Sequence, residues 1–433
     1  MPEPISARRL ALDVLDLVLG ERRPLDEAFA GHPALAALSA RDRSHARLLV
    51  ATVLRRLGQI DAALDGFLRP RPKPLRVMNL LRLGAAQLLF LLTPPHAAVA
   101  ESVALATGRA AFARGLVNAV LRRIAGEGAA LVAAQDAARL NTPDWLWQAW
   151  CEAYGEGVAR RIAEAHLAEP PLDLTVKEHA DVWARRLEAT LLHGSTLRRA
   201  AGGAIEELPG YRDGAWWVQD AAAALPARLL PDVAGRSVLD LCAAPGGKTA
   251  QLAAAGARVI ALEVSARRAE RLEANLARLD LGAEIVIADA RDWRPPAPVA
   301  RLLLDAPCTA TGTIRRHPDI AWHKTRDDVL RLAALQRQLL TAAVAMLEPA
   351  GIMVYASCSL QPEEGALVIE RALADGLPAE RLPVTPEELA GLPVELNAAG
   401  DVRTLPCHLP ERGGLDGFFI ARLRRRGAAA TQS

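Results

Sequence analysis

Cysteine is scarce in this 433-residue chain, and the spacing of the few cysteines excludes more than their number does. Cys151, Cys242, Cys308, Cys358 and Cys407 are odd in number, far apart and never in Cys-x-x-Cys spacing, so neither a disulfide framework nor a zinc site is expected. A special cysteine here would act as a reactive thiol. The nine histidines form no His-x-x-x-His pair beside a carboxylate, and no metal is implied. Hydrophobic residues make up 51% of the chain, yet no uninterrupted apolar run is long enough to span a bilayer. The first ten residues lack a long apolar core after their charges, which argues against a secretory signal and for a cytoplasmic protein. Net charge is also small, at +2, but it is unevenly spread. Residues 1–140 hold 19 Lys and Arg against 12 Asp and Glu, a surplus of +7 that leaves −5 for the remainder. Surplus arginine on a separate module is a common electrostatic footprint of nucleic-acid binding, although a solvated helix face can carry the same charge.

A chain of this length makes about two to four domains. From Ala7 to about Arg123 the pattern is helical throughout, with Leu10, Val14 and Leu17 spaced four and three apart. Ser39-Ala-Arg-Asp42 reads as a capping box, and Pro94-Pro95 stops the helix around Leu80 to Leu92. An all-α bundle over 1–140 follows. Between 141 and 230 the texture changes: Trp145, Trp147, Trp150, Trp183, Trp216 and Trp217 fall here, and Pro170-Pro171 breaks a helix. This stretch reads as a small α+β connector whose tryptophans serve packing. Over 231–433, apolar runs at Val238–Leu241, Val259–Leu262, Glu284–Ile287, Leu302–Leu304 and Ile352–Tyr355 alternate with helical segments at Thr249–Ala255, Ala266–Leu279 and Val329–Leu347. Strands spaced by helices predict an α/β domain with an open, mostly parallel sheet and a ligand site at the carboxyl ends of its strands.

The stretch Val238-Leu-Asp-Leu-Cys-Ala-Ala-Pro-Gly-Gly-Lys-Thr249 describes a strand turning tightly into a helix, with Gly246 and Gly247 letting backbone approach a ligand. A phosphate loop needs Gly five positions before its Gly-Lys pair, and Cys242 stands there instead, followed by the stiff ring of Pro245. The dinucleotide fingerprint Gly-x-Gly-x-x-Gly is absent too. A nucleoside ligand without a phosphate chain remains. Asp240, Glu263, Asp289 and Asp305 lie at or just beyond four predicted strand ends; Glu263 stands where a carboxylate grips a ribose diol, and Asp289 where one could accept from an adenine amino group. Cys308 and Cys358 follow neighbouring strands, which suggests covalent chemistry on a third molecule.

With Leu239–Lys248, Asp305-Ala-Pro-Cys308, Thr311–Asp319, Ser357-Cys358-Ser359, Gln361-Pro-Glu-Glu364 and Asp416-Gly-Phe-Phe419, the chain resembles the RNA cytosine-C5 methyltransferases that use S-adenosylmethionine. The helical N-terminus, with Asn118-Ala-Val-Leu-Arg122, is similar to the NusB-type RNA-binding domain. The resemblance implies a Rossmann-like class I methyltransferase core preceded by a NusB-like domain and the connector. It implies that Cys358 is the nucleophile, that Asp305 stabilises charge on the base, and that Cys308 is needed for product release. Cys242, Ala243, Ala244, Pro245, Gly246, Gly247, Lys248, Glu263, Asp289 and Asp305 would bind S-adenosylmethionine, and Lys248 would hold the base or the ligand carboxylate. The implied substrate is one cytosine, position 967, of naked or partly assembled 16S ribosomal RNA, unstacked to be reached, and acted on by a monomer. Arg315, Arg316 and His317 would line the RNA entrance. Two residues depart from the family pattern: Ser357 replaces a usual Thr, and Leu174-Thr-Val-Lys177 replaces a usual Leu-Arg-Val-Asn. Rival readings are methylation of another RNA, a DNA methyltransferase using Cys308, and a non-catalytic ribosome- or RNA-binding factor.

Overall fold

A computed structural model of the chain describes residues 6–389 and 391–427; the first five residues, on which part of the secretory-signal reading rests, lie outside them. The chain forms two compact units, one of residues up to 168 together with 314–324, the other of 169–313 and 325 onward. In the first, helices at Ala7–Glu21, Leu25–Ala30, Ala40–Arg55, Leu57–Asp65, Leu75–Leu89, Pro95–Leu105 and Arg114–Ala133 enclose one apolar core. Leu10 and Val14 are buried in that core and Leu17 packs at its margin, as their spacing predicts. The Ser39 hydroxyl caps the third helix by accepting from the Asp42 amide at 3.1 Å, a contact worth about 1 kcal/mol. Pro95 opens the next helix at its first turn, where a missing N–H costs nothing. Gly84 lets two helices meet, because a Cβ there would lie 2.4 Å from Leu121 Cδ1.

Residues 314–324 leave the sequence on either side of them to join this helical unit. The Trp322 indole donates to the Leu54 carbonyl at 2.8 Å, the Leu25 amide to Asp319 at 3.0 Å, and the Arg55 guanidinium to the Arg315 carbonyl at 2.9 Å. Arg315 is buried and Arg316 and His317 are partly buried, so Arg315 does not line an open RNA entrance as the sequence suggested. Charge alone could not show that neighbouring Ile314 and Ile320 are buried and that Trp322 packs against the helical unit's core.

The second unit begins with a four-stranded antiparallel sheet of β1 (Leu172–Val176), β2 (Thr190–His193), β3 (Thr196–Arg199) and β4 (Trp216–Val218), in the order β2-β3-β1-β4. Its buried Asp173–Arg198 pair is bidentate, at 2.6 and 2.7 Å. Trp216 fills this sheet's core and Trp217 the larger one, which is the packing role expected of them.

The larger sheet holds β5 (Ser237–Leu241), β6 (Arg258–Glu263), β7 (Glu284–Ile287), β8 (Val299–Asp305), β9 (Leu347–Ser357), β10 (Ala379–Arg381), β11 (Glu395–Leu396), β12 (Val402–Thr404) and β13 (Phe418–Arg425). The order is β11-β12-β13-β9-β8-β5-β6-β7, with β10 also on β13. Strands β5 to β9 run parallel, joined by helices at Gly247–Ala254, Ala266–Arg278 and Arg326–Met346, while β13, β12, β11 and β10 extend the sheet antiparallel. Alternate residues feed two cores: Leu239, Leu302 and Met353 enter one face, Val238, Leu303 and Val354 the other. The helix Arg326–Met346 is long and apolar enough to cross a membrane by length and composition, but half of its apolar window is buried, and Leu339, Leu340 and Val344 belong to the sheet's core.

Candidate active site at the carboxyl edge of the parallel sheet

Because β5, β6, β7, β8 and β9 are parallel, the residues that follow each of them gather along one edge. After β5 the chain turns at Cys242, in the left-handed region with φ 61°, and again at Gly246, with φ 105°, which caps the helix begun by Gly247. A Cβ on Gly246 would lie 2.5 Å from Leu272 Cδ1, so both its conformation and its packing require glycine. The buried Ala243 amide donates to Leu262 at 3.0 Å; Arg268 donates to the Ala244 carbonyl at 2.7 Å and Asn275 to the Pro245 carbonyl at 2.8 Å. The loop is thus fixed before any ligand arrives. The half-buried Cys242 contributes backbone geometry rather than reactivity: burial, then Asp305 and Glu263, push its thiol far up.

Two of the four carboxylates keep an oxygen in reserve. Glu263, the last residue of β6, accepts from the Ser265 amide at 3.0 Å through Oε1, while its buried Oε2 has no hydrogen-bond partner. Asp240 accepts from the Thr249 hydroxyl at 2.6 Å through Oδ2, and its buried Oδ1 is likewise unpartnered. Burial raises the Asp240 carboxyl to about 7, against the pull of the Thr249 hydrogen bond. Asp289 differs, because the Arg291 side chain and amide both donate to it, at 2.6 to 3.1 Å, holding its carboxyl below the usual range.

Asp305, at the end of β8, accepts from Lys248 Nζ at 2.7 Å. Burial pushes the pKa of this lysine down, but the Asp305 carboxylate outweighs it and the net shift is upward. The ammonium also lies 5.3 Å from the centre of the Phe418 ring. Three residues beyond Asp305, the Cys308 sulfur meets the Cys358 sulfur, just past β9, at 3.3 Å. Contact with Cys308 and then burial push the Cys358 thiol well above its ordinary value, while nearby Lys248 pulls it down. Lys248, Asp305, Cys308 and Cys358 therefore form one cluster beside the glycine turn.

A residue given no role by the sequence reading holds the two thiol loops together. The fully buried Glu364 accepts from the Thr309 amide at 2.8 Å, the Thr309 hydroxyl and the Ser359 hydroxyl, the last at 2.6 Å. Thr309 follows Cys308 and Ser359 follows Cys358, so a single carboxylate pins both neighbours. Tyr355 donates to the Glu364 carbonyl at 3.1 Å, and the Gly312 amide donates to the Cys358 carbonyl at 2.9 Å. Gly312 is irreplaceable sterically, as a Cβ would stand 2.0 Å from the Gly417 oxygen. Glu364, Gly312 and Gly417 lie in the motifs Gln361–Glu364, Thr311–Asp319 and Asp416–Phe419; only their meeting in space shows what they do.

Residues 227–424 match a family described as 16S rRNA methyltransferase RsmB/F, and residues 5–126 match the NusB family. The ribosomal RNA small subunit methyltransferase B of Klebsiella pneumoniae subsp. pneumoniae is 36% identical, with 98% of this chain and all of that protein covered. Its namesake in Pasteurella multocida is 39% identical over 82% of each chain. Among solved structures, a methyltransferase homolog from Pyrococcus horikoshii superposes with a TM-score of 0.53 at 28% identity, covering 64% of this chain and 93% of its own. The structure titled NSun6 from the same organism, solved with SFG, shares the fold at a TM-score of 0.57 and 19% identity, covering 66% of this chain and 98% of its own. With one relative matched along its whole length and another over most of it, a site cluster in the matched domain and a NusB domain before it, the chain belongs to the ribosomal RNA small subunit methyltransferase B family.

Proposed function

We propose that this chain methylates C5 of one cytosine in 16S ribosomal RNA, position 967 in its most specific form, by forming a covalent bond between Cys358 and the base. The observation that carries the reading is the cluster itself: two sulfurs 3.3 Å apart, beside a Lys248–Asp305 pair at 2.7 Å, next to the turn at Gly246 that opens a helix. Residues 1–140 serve RNA binding in this reading, 141–230 connect, and 231–433 carry out the reaction.

S-adenosylmethionine fits the turn. The orphaned Glu263 oxygen, costly to leave buried and unmatched at about 1–3 kcal/mol, is suited to a ribose hydroxyl. Gly246 and Gly247 would admit the ligand against the opening amides of their helix, with Ala243, Ala244, Pro245 and Lys248 around it, and Asp289 would reach the adenine side if Arg291 yields. When bound, the cofactor supplies a methyl group on a positively charged sulfur.

C5 of cytosine is too weak a nucleophile to take a methyl group unaided. Once Cys358 has lost its proton, its sulfur adds to C6, making C5 electron-rich. Negative charge builds in the N3 region during the attack, so Asp305 would meet it as the protonated acid, carrying the proton lost by Cys358 to N3, while the Lys248 contact holds its side chain in place. After C5 is methylated, removal of its proton lets the C6–sulfur bond break, returning the electron pair to Cys358. Cys308, in contact with that sulfur, serves this release. The test is bisulfite sequencing of ribosomal RNA from cells lacking this protein. Loss of methylation at the one cytosine is expected, and unchanged methylation there would overturn the assignment.

A further inference from the structure

The surface of the helical unit over residues 107–122 is built differently from the rest of that unit. Between Glu101 and Glu127 the sequence has no acidic residue and four arginines, Arg109, Arg114, Arg122 and Arg123. The 3-10 helix Gly108–Ala113 runs straight into the helix Arg114–Ala133, and both are anchored from beneath by buried Ala110, Ala113, Val117, Val120 and Leu121. Above that floor, Arg109, Arg114 and Arg122 are exposed, and among the described residues none of the three pairs with a carboxylate. Arg114 donates to the Ala106 carbonyl at 3.0 Å and Arg122 to the Asn118 amide oxygen at 3.2 Å, bonds that orient the side chains without neutralising them. Arg114, Asn118 and Arg122 are four apart, so they share one helix face over about 12 Å. Arg9 reaches the same stretch, donating to the Thr107 hydroxyl at 3.1 Å.

In the middle of this cationic strip stands Phe112, 73% exposed, the one exposed phenylalanine, tyrosine or tryptophan among the described residues. The other phenylalanines are buried or partly covered, and Phe29, Phe67 and Phe90 each lie under an arginine. A bare phenyl ring in water is unfavourable, and its stretch of chain holds exposed arginines as well as the exposed Leu116. A flat ring flanked by unneutralised arginines is what single-stranded RNA recognition uses: the ring stacks a base and the guanidiniums take the adjoining phosphates.

We propose that Phe112, with Arg109, Arg114 and Arg122, forms a stacking platform on the helical unit that holds a single-stranded segment of the substrate RNA. This rests on the RNA methyltransferase reading and adds to it a residue-level site on the helical unit. Charge complementarity selects RNA over a protein partner: three exposed arginines beside the ring meet no carboxylate among the described residues, and a nucleic-acid strand offers a phosphate for each.

The test uses the full chain and a fluorescent single-stranded oligoribonucleotide carrying the target cytosine and its neighbours, compared with the same strand in a duplex. Phe112→Ala is expected to weaken single-strand binding about tenfold and duplex binding far less, while Phe112→Trp restores it. Since the ring is exposed, the melting temperature stays at the wild-type value. Changing Arg109, Arg114 and Arg122 together to Gln is expected to lower the slope of log affinity against log salt by about 2, roughly 0.7 for each phosphate that is no longer neutralised. Phe112→Ala binding single strand within twofold of wild type overturns the proposal, as does equal weakening on single strand and duplex. Methylation by the wild-type chain, measured in parallel, separates the two failures. If wild type methylates and Phe112→Ala binds normally, only the platform falls; if wild type neither binds nor methylates RNA, the functional reading falls with it.

Discussion

Replacing Glu364 with alanine removes the acceptor on which three donors from the two thiol loops converge. The Thr309 amide, at 2.8 Å, cannot turn elsewhere because the backbone fixes it. The two hydroxyls have partial alternatives, since Thr309 and Ser359 are 3.3 Å apart and Thr311 and Ser359 3.2 Å. A bond to a charged acceptor contributes about 1.5–3 kcal/mol, and a stranded buried donor costs a similar amount. With the amide fully stranded and the hydroxyls partly re-paired, the destabilisation comes to about 3–5 kcal/mol. Glu364→Gln keeps one acceptor oxygen and the volume, and its new donor can face a rotated hydroxyl, so it should cost only about 1–2 kcal/mol. Urea unfolding followed by tryptophan fluorescence measures both variants, and iodoacetamide labelling of native protein, with mass mapping, reports whether Cys308 and Cys358 have loosened. The expected order of stability is wild type, then Gln, then Ala, with faster labelling of both cysteines in Ala. An alanine variant within about 0.5 kcal/mol of wild type would refute the clamp; lower stability with unchanged labelling would show that it does not govern the thiols.

Two further outcomes follow from the buried titrating groups. Burial raises Asp240 to about 7, so the folded protein holds this proton more tightly than the unfolded chain does, and stability contributed by the protonated form is lost as pH rises from about 4 to 7. The full effect is about 4 kcal/mol. Asp240→Asn, which cannot ionise, should therefore gain on wild type as pH rises through that window in ligand-free urea titrations, and a gain equal at both ends of the window would contradict the assignment. Cys358 titrates well above the ordinary thiol range with Cys308 as the leading cause, so its alkylation in the ligand-free protein should be slow at neutral pH and rise into the alkaline range. Cys308→Ala should shift that rise to lower pH; an unmoved profile would show that burial, not the neighbouring sulfur, sets it.

The parallel half of the sheet was legible because each of its strands is an apolar run closed by a polar turn, and Glu284–Ile287 coincides with β7 to the residue. Strands β10 to β12 were not, since segments of two or three residues carry no period to read. The site divides in the same way. Cys242 to Lys248 is contiguous and its chemistry is local, whereas Glu364 acts on Thr309 across 55 positions. Arg315 failed for a related reason. Its neighbours predict a charged loop, but the burial of that loop depends on helices far earlier in the chain.

The central claim is that Cys358 bonds to the base and Cys308 releases it. Incubating Cys308→Ala with substrate RNA and S-adenosylmethionine, then resolving the products under denaturing conditions, tests it most directly. The account predicts a protein–RNA adduct that survives denaturation, maps to Cys358 and vanishes in the Cys308→Ala/Cys358→Ala double variant. An adduct that forms instead in Cys358→Ala, and maps to Cys308, would contradict it.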